Sequence, residues 1–202
     1  MENHKRKINI IKRLYNWVLS WAESKYGTPA LGILAFTESS FFPIPPDVLQ
    51  IALSISKRNR ALFYALISTI FSVAGAFLGF YIGAFLMETI GWKIINFYHL
   101  QPYFEIVKTK YEQNAFLAIF TAAFTPIPYK VFTISAGVCS ISLLTLFIAS
   151  VLGRGARFFA VGILIFIFGE KIKLFIDKYF NILTILFVVL IILGFILIKY
   201  IS

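Results

Sequence analysis

Two clusters of prolines interrupt apolar stretches of this chain and limit what those stretches can fold into. The first cluster is Phe42-Pro43-Ile44-Pro45-Pro46, and the second, 83 residues later, is Thr125-Pro126-Ile127-Pro128. Proline lacks a backbone N–H and restricts the residue before it, so a helix cannot run through such a cluster. Each apolar stretch is therefore predicted to fold as two short helical arms with a break between them.

The composition indicates that the apolar stretches lie in a lipid bilayer. Hydrophobic residues make up 59% of the 202 residues and charged residues 14%, against about 45–50% and about 25% in soluble domains. The net charge of +10 does not indicate nucleic-acid binding, because the basic residues lie between hydrophobic stretches. At those places they act as topology signals and contact anionic lipid headgroups.

The histidines and the cysteine predict no metal site, no cofactor and no disulfide. Cys139 is the only cysteine, and His4 and His99 are isolated in the sequence. Metal sites need several ligands at short, regular spacings. Neither a phosphate-binding glycine loop nor a Ser-His-Asp set is present, so we expect neither an enzyme nor an ATP-driven pump.

The order of polar and apolar segments predicts an all-α membrane protein. A basic amphipathic helix at 1–25 is expected to lie in the headgroup plane, although it could simply orient the chain. A membrane domain follows at 26–170, and a transmembrane helix is predicted at 181–200. Within the domain we predict a re-entrant hairpin at 28–55, a transmembrane helix at 61–87, a polar connector at 88–114 that Pro102 divides, a second re-entrant hairpin at 115–141 and a transmembrane helix at 142–169.

The re-entrant assignment follows from arm length and from the basic residues. Crossing a hydrocarbon core of about 30 Å takes about 20 helical residues, and each arm is shorter than that. If both hairpins return to the side they entered, the N-terminus and the basic residues at 57–60 and 171–178 all lie in the cytoplasm. The two hairpins then enter from opposite faces of the cytoplasmic membrane. This is the inverted repeat found in secondary transporters.

Two acidic residues flank the first proline cluster inside the apolar stretch. An ionisable side chain at the bilayer centre costs about 2.5–3.5 kcal/mol on insertion scales, so such residues commonly have a function. For Glu38, an apolar setting favours the uncharged carboxylic acid, which makes it a candidate proton carrier. A permanent ion pair is the alternative. Asp47 is a second candidate for proton coupling, and its alternative is a helix cap after Pro46.

Three basic residues in the second half form a candidate phosphate site. Arg154 and Arg157 are three residues apart and so share a helix face, and the planar guanidinium suits phosphate. Lys130 follows the second proline cluster directly. The alternative is that these cations only pair with Glu38 and Asp47.

Glycine spacing predicts a helix-packing face in the first transmembrane helix. Gly75, Gly79 and Gly83 recur every four residues. Small residues at this spacing let another helix backbone approach closely within a membrane.

Three segments resemble signatures of the DedA family, which is also called the SNARE-associated or VTT-domain family. The first is residues 36–49 (FTESSFFPIPPDVL), and its acids correspond to Glu38 and Asp47. The other two are residues 126–137 (PIPYKVFTISAG) and 153–158 (GRGARF), which resemble the YqaA-like branch. The resemblance covers about residues 26–170. It implies facing re-entrant hairpins and proton-linked movement of lipid carriers or phospholipids across the bilayer.

The chain departs from the family pattern at two points. Ala123 stands before the second proline cluster, where many members have arginine, and Phe80 occupies the place of an acid in the first transmembrane helix. The basic role therefore passes to Lys130 and to the two arginines near 155.

We therefore expect a proton-coupled transporter or flippase for a phosphate-bearing lipid, with membrane lipids and protons as its partners and no nucleic acid. The sequence is compatible with a homo-oligomer. The alternative function is a membrane scaffold or envelope-assembly protein in which the embedded charges hold helices together.

Overall fold

The computed structural model describes Trp21, residues 24–42 and residues 44–169, and all regular structure in this part of the chain is helical. The predicted helix at 181–200 and nearly all of the predicted amphipathic helix at 1–25 lie outside the described residues. The α-helices are α1 (Gly27–Ser40), α2 (Asp47–Ser56), α3 (Ala61–Leu86), α4 (Trp92–Phe97), α5 (Gln101–Phe124), α6 (Tyr129–Val138) and α7 (Leu143–Phe168). A 3-10 turn, Arg58–Arg60, precedes α3, and a π-helical turn, Met87–Gly91, follows it.

Both proline clusters lie at helix interruptions. Helix α1 ends at Ser40, and α2 begins directly after Pro46, whose φ of −71° suits the residue before a helix. In the second half, α5 ends at Phe124, Thr125 is extended, and α6 begins after Pro128. The missing N–H groups and the fixed proline φ account for both breaks.

Helices α3 and α7 are long and apolar enough to cross a membrane. Each has 26 residues, which at 1.5 Å per residue is about 39 Å and exceeds a hydrocarbon core of about 30 Å. The excess length allows a tilted crossing.

The connector is divided into two helical pieces as predicted, although the break lies at 98–100, directly before Pro102. Pro102 lies in the first turn of α5, where the missing N–H removes no helical hydrogen bond. The backbone instead turns between α4 and α5, where His99 has a φ of +53°. Helix α5 then continues through the predicted boundary at 114/115 as far as Phe124. The polar end of the connector and the first arm of the second predicted hairpin therefore form one continuous helix of 24 residues.

The two halves of the chain have the same order of elements, and the short second helix of each half contacts the long helix of the other half. A broken helix pair, α1–α2 or α5–α6, is followed by a long helix, α3 or α7. Within each half the first arm packs on its own long helix, as α1 does on α3 and α5 on α7. The second arms reach across, because α6 packs on α3 and α2 contacts α7 as well as α3. These contacts bring the two breaks together beside the α3–α7 contact.

The glycine face of α3 lies where other helices approach most closely. A Cβ atom at Gly75 would collide with the carbonyl oxygen of Phe36 on α1, and one at Gly83 with that of Ile134 on α6. At Gly79 the Cβ would meet the side chain of Thr133. These glycines therefore set how near α1 and α6 approach α3.

Replacing Gly83 by alanine is expected to destabilise the protein by about 1–3 kcal/mol, the usual cost of overpacking. The added methyl group would meet backbone, which cannot move aside as a side-chain end can. Thermal unfolding of the purified protein in detergent measures the effect. Gly155→Ala is the matched control, since its Cβ would lie 3.7 Å from Thr69 Cγ2, an ordinary contact. A Gly83→Ala protein as stable as this control would contradict the assigned contact.

Candidate functional site

The predicted site residues come from both halves and lie around the two breaks. Glu38 is in the last turn of α1, and Asp47 is the first residue of α2. Lys130 is the second residue of α6, and Arg154 and Arg157 lie one turn apart on α7. The 83-residue repeat places Lys130 in the position of Asp47, and each of the two does lie at the start of a helix that follows a break.

Arg154, which is buried, forms an ion pair with the partly buried Glu38. Its Nη2 donates to Glu38 Oε2 at 2.6 Å, and its Nε donates to Ser72 Oγ at 2.6 Å. The Arg154 side chain is 2% exposed and that of Glu38 14%. The guanidinium also lies over the rings of Tyr129, at 5.0 Å, and Phe158, at 4.7 Å. Cation–π contacts of this kind are strongest where water is excluded, so Arg154 is held on several sides.

A short series of hydroxyl groups leads to the Glu38 carboxylate. Ser72 Oγ lies 2.6 Å from Ser39 Oγ, and Ser39 Oγ donates to Glu38 Oε2 at 3.4 Å. Since Arg154 donates to Ser72 and Ser39 donates to Glu38, the Ser72 hydroxyl is the donor in the bond between the two serines. The series therefore points from α3 toward the carboxylate.

Arg157 joins Asp47 to the second break. Its Nε and Nη2 donate to the two carboxylate oxygens of Asp47 at 3.0 and 2.9 Å, and its Nη1 donates to the Thr125 carbonyl at 2.8 Å. Both side chains of the pair are 19% exposed. Pro46 is the N-cap residue of α2, and the Asp47 carboxylate accepts its hydrogen bonds from Arg157. A carboxylate in the first turn still complements the helix dipole. The carboxylate is used for the ion pair rather than as a cap.

Lys130 links the two breaks but, among the described residues, it contacts no carboxylate. Its Nζ donates to the carbonyl of Phe42 at 3.0 Å. One turn further along α6, Thr133 Oγ1 donates to the carbonyl of Ser39 at 3.1 Å. Lys130 is half-buried as a residue, but its hydrogen bond to Phe42 lies at an exposed position. No acid in the described part of the chain pairs with its positive charge.

An apolar cavity adjoins this junction. Its volume is about 690 Å³, and its lining includes Trp21, Ile33, Leu34, Phe41 and Phe42. Phe42 lines this cavity and also accepts the Lys130 hydrogen bond with its carbonyl. Phe42 therefore links the Lys130 cation to the apolar space.

Several polar residues of the site were missed by sequence reasoning. Besides Ser39 and Ser72, they include Tyr129, whose hydroxyl donates to Ser150 Oγ, and Thr133. A signal for Ser72 existed in the sequence, because it lies on the same helical face as Gly75 and Gly79. No comparable pattern marks Tyr129 as the ring beneath Arg154.

Comparison with known proteins assigns the family. A model of the VTT domain matches residues 44–167, more than half of the chain. The chain belongs to the VTT-domain, or DedA, family. Together with the two long apolar helices, this makes it a membrane protein.

Two relatives of this VTT-domain protein extend the match beyond the domain. An uncharacterised protein of Haemophilus influenzae is 32% identical over 192 residues, which cover 95% of this chain and 100% of the relative. A second uncharacterised protein, from Histophilus somni, is 31% identical over 154 residues, covering 76% of this chain and 80% of the relative. No solved structure matches the chain significantly.

Proposed function

We propose that this VTT-domain protein moves a phosphate-bearing lipid, an isoprenoid carrier phosphate or a phospholipid, across the bilayer in a proton-coupled manner. The observation that carries the proposal is the contact of Lys130, a cation without a carboxylate partner among the described residues, with the carbonyl of Phe42, a residue that lines an apolar cavity of about 690 Å³. A lipid phosphate has the complementary chemistry, with an anionic head and an apolar chain.

Lys130 is the first contact for the phosphate in this proposal. Its ammonium group has three donors and uses one of them on the Phe42 carbonyl. The lipid chain can remain in apolar surroundings, such as the cavity lined by Phe41 and Phe42. Only the headgroup then needs a polar route through the protein, and the two breaks supply backbone that is not used by a helix.

Arg157 is the better second contact for the phosphate, and Arg154 the better partner for a proton-carrying acid. The side chains of Arg157 and Asp47 are each 19% exposed, so an incoming phosphate could replace the Asp47 carboxylate as the partner of Arg157. Arg154 is 2% exposed and bound to Ser72 and Glu38. Protonation of Glu38 would remove the negative charge from this pair, which gives a physical link between proton binding and the ion pair that joins α1 to α7.

A membrane scaffold is the second candidate function, and one observation favours it. Both embedded acids are paired with arginines that also bind a hydroxyl or a carbonyl group. Such pairs can simply hold helices in register. In this case the charges need not move during function.

Lipid movement in vesicles that contain the purified protein tests the proposal. The wild type is expected to move a phosphate-bearing lipid, and Lys130→Gln to lower the rate about tenfold, the effect of losing about 1.4 kcal/mol of headgroup binding. Lys130→Arg should retain most of the rate because it keeps the charge. Lys110→Gln is the control, since it makes the same charge change at an exposed position of α5.

Two results would contradict this proposal. A folded wild type that moves neither lipid class, with or without a pH gradient, would favour the scaffold. Equal losses in Lys130→Gln and Lys110→Gln would show that general surface charge, and not the junction, attracts the lipid.

A further inference from the structure

Three fully buried polar atoms have no hydrogen-bond partner within the described residues. They are Gln50 Oε1, Ser54 Oγ and Ser68 Oγ, and their residues are 0% exposed. The other end of the Gln50 amide does have a partner, because Nε2 donates to the Phe158 carbonyl at 2.9 Å. A serine inside a helix can also bond to the carbonyl four residues earlier, as Thr69 does to Ala65. Ser54 and Ser68 make no such bond.

The three residues lie on α2 and α3, which contact each other and both contact α7. Gln50 and Ser54 are one turn apart, so they share the face of α2 that reaches α7 through the Phe158 carbonyl. Ser68 is one turn before Ser72, and Ser72 accepts a hydrogen bond from Arg154 of α7. Ser68 therefore lies on the face of α3 that is turned toward α7.

The contacts also place the three residues in order along the helices. Gln50, on α2, is level with Phe158 on α7. Eight residues further along, Arg58, in the turn after α2, donates to the carbonyls of Phe166 and Ile167 of α7 at 2.7 and 2.8 Å. Ser54 lies between these two levels. On α3, Ser68 lies one turn nearer the Arg58 end than Ser72 does. The unpartnered atoms thus occupy the layer between the Glu38–Arg154 pair and the end of the fold that carries Arg58.

Burying three polar atoms without any hydrogen-bond partner would lower the stability of the fold, since each atom would lose its hydrogen bonds to water without replacement. Buried water commonly satisfies such groups when two to four polar partners are near. Two hydroxyl groups and an amide oxygen, with the serine series beyond them, are partners of the required kind.

We infer that Gln50, Ser54 and Ser68 hold a short file of internal water between α2, α3 and α7, which connects the Glu38–Arg154 pair with the Arg58 end of the fold. The water itself does not depend on the transport activity. Its role as a proton route to Glu38 rests on the proposed function. Arg154 and Glu38 at one end, the neighbouring Asp47–Arg157 pair, and Arg58 at the other end are the charged groups that face this layer.

Thiol reactivity tests the water file without any transport assay. Ser54→Cys and Ser68→Cys, each made in a Cys139→Ser background, introduce a thiol of nearly the same size as serine. Both thiols are expected to react with Ag⁺ in the folded protein at least ten times faster than Cys139 does in the wild type. Cys139 is the matched control because it is buried, 4% exposed, within an apolar cluster. Reaction of both new thiols no faster than Cys139 would overturn the inference.

A stability measurement covers the case in which a cysteine variant fails to fold. Ser54→Ala and Ser68→Ala should each lower the Tm if their hydroxyl groups bind water. Removal of a dry, unpartnered hydroxyl should instead raise the Tm, and a rise in both variants would also overturn the inference.

The proton role has its own readout in vesicles. In the Ser54→Ala/Ser68→Ala protein, lipid movement driven by a pH gradient is expected to fall several-fold more than movement without a gradient. Equal effects on the two rates would reject the role of the water as a proton route. The thiol experiment would still test whether the water is present. A wild type that moves no lipid would count against the proposed function alone.

Discussion

Replacing Arg154 by alanine is expected to destabilise the protein by about 3–5 kcal/mol, because the change leaves Glu38 as an uncompensated acid in buried surroundings. The variant also loses the hydrogen bond to Ser72 and the contacts with the rings of Tyr129 and Phe158. Thermal unfolding in detergent, together with the yield of folded protein, measures the loss. Arg154→Lys should fall between the alanine variant and the wild type, since it keeps the charge but not the planar fork.

Two further variants separate the ion pair from general effects of losing an arginine. The double variant Glu38→Gln/Arg154→Met removes both charges and is expected to recover most of the stability, as is typical of buried pairs. Arg60→Ala removes an arginine from the exposed turn before α3 and should leave the unfolding temperature unchanged. If the Arg154→Ala protein unfolds at the same temperature as the Arg60→Ala protein, the ion pair does not stabilise the fold and the prediction is contradicted.

Replacing Glu38 by glutamine is expected to abolish lipid movement driven by a pH gradient. Glutamine can still accept a hydrogen bond from Arg154 Nη2, but it cannot bind and release a proton. The variant also leaves the Arg154 charge unpaired, so its stability is expected to fall, and rates must be compared at matched amounts of folded protein. Gradient-driven movement that persists in Glu38→Gln would exclude Glu38 as the proton carrier.

The matched comparison for this prediction is Asp47→Asn. Asparagine has nearly the same size as aspartate, and its side-chain oxygen can still accept a hydrogen bond from Arg157, so this change removes the charge that faces Arg157 and keeps the shape of the side chain. If Asp47 also takes part in coupling, gradient-driven movement should fall in this variant too. A fully active Asp47→Asn protein would leave Asp47 with a structural role only.

Much of the fold could be predicted because its causes are local. The prolines at 45, 46, 126 and 128 interrupt the helices through their own covalent geometry, wherever the chain is placed. The lengths of the apolar segments predict α3 and α7 in the same way. The break predicted at Pro102 lies just before it, since proline suits the first turn of the helix that follows. The predicted boundary at 114/115 was wrong, because α5 runs through it. The orientation in the membrane, with a cytoplasmic N-terminus and inverted hairpins, stays a prediction.

The candidate site could be predicted only as a set of residues. The acids at 38 and 47 and the cations at 130, 154 and 157 stand out in the sequence because ionisable residues are rare in apolar segments. Their pairing could not be predicted from the sequence, because Glu38 and Arg154 are 116 residues apart and Asp47 and Arg157 are 110 residues apart. At such separations the partner depends on how each helix is rotated and placed along its neighbour.

The sequence by itself therefore determined the family, the helical class, the breaks and the charged residues, since these follow from residue chemistry and local spacing. The tertiary structure decided which acid meets which arginine, that Lys130 reaches the first break, and that polar atoms of Gln50, Ser54 and Ser68 are buried without a hydrogen-bond partner among the described residues. These arrangements depend on helix register, which close contacts such as those of Gly75 and Gly83 set over distances that no local pattern encodes.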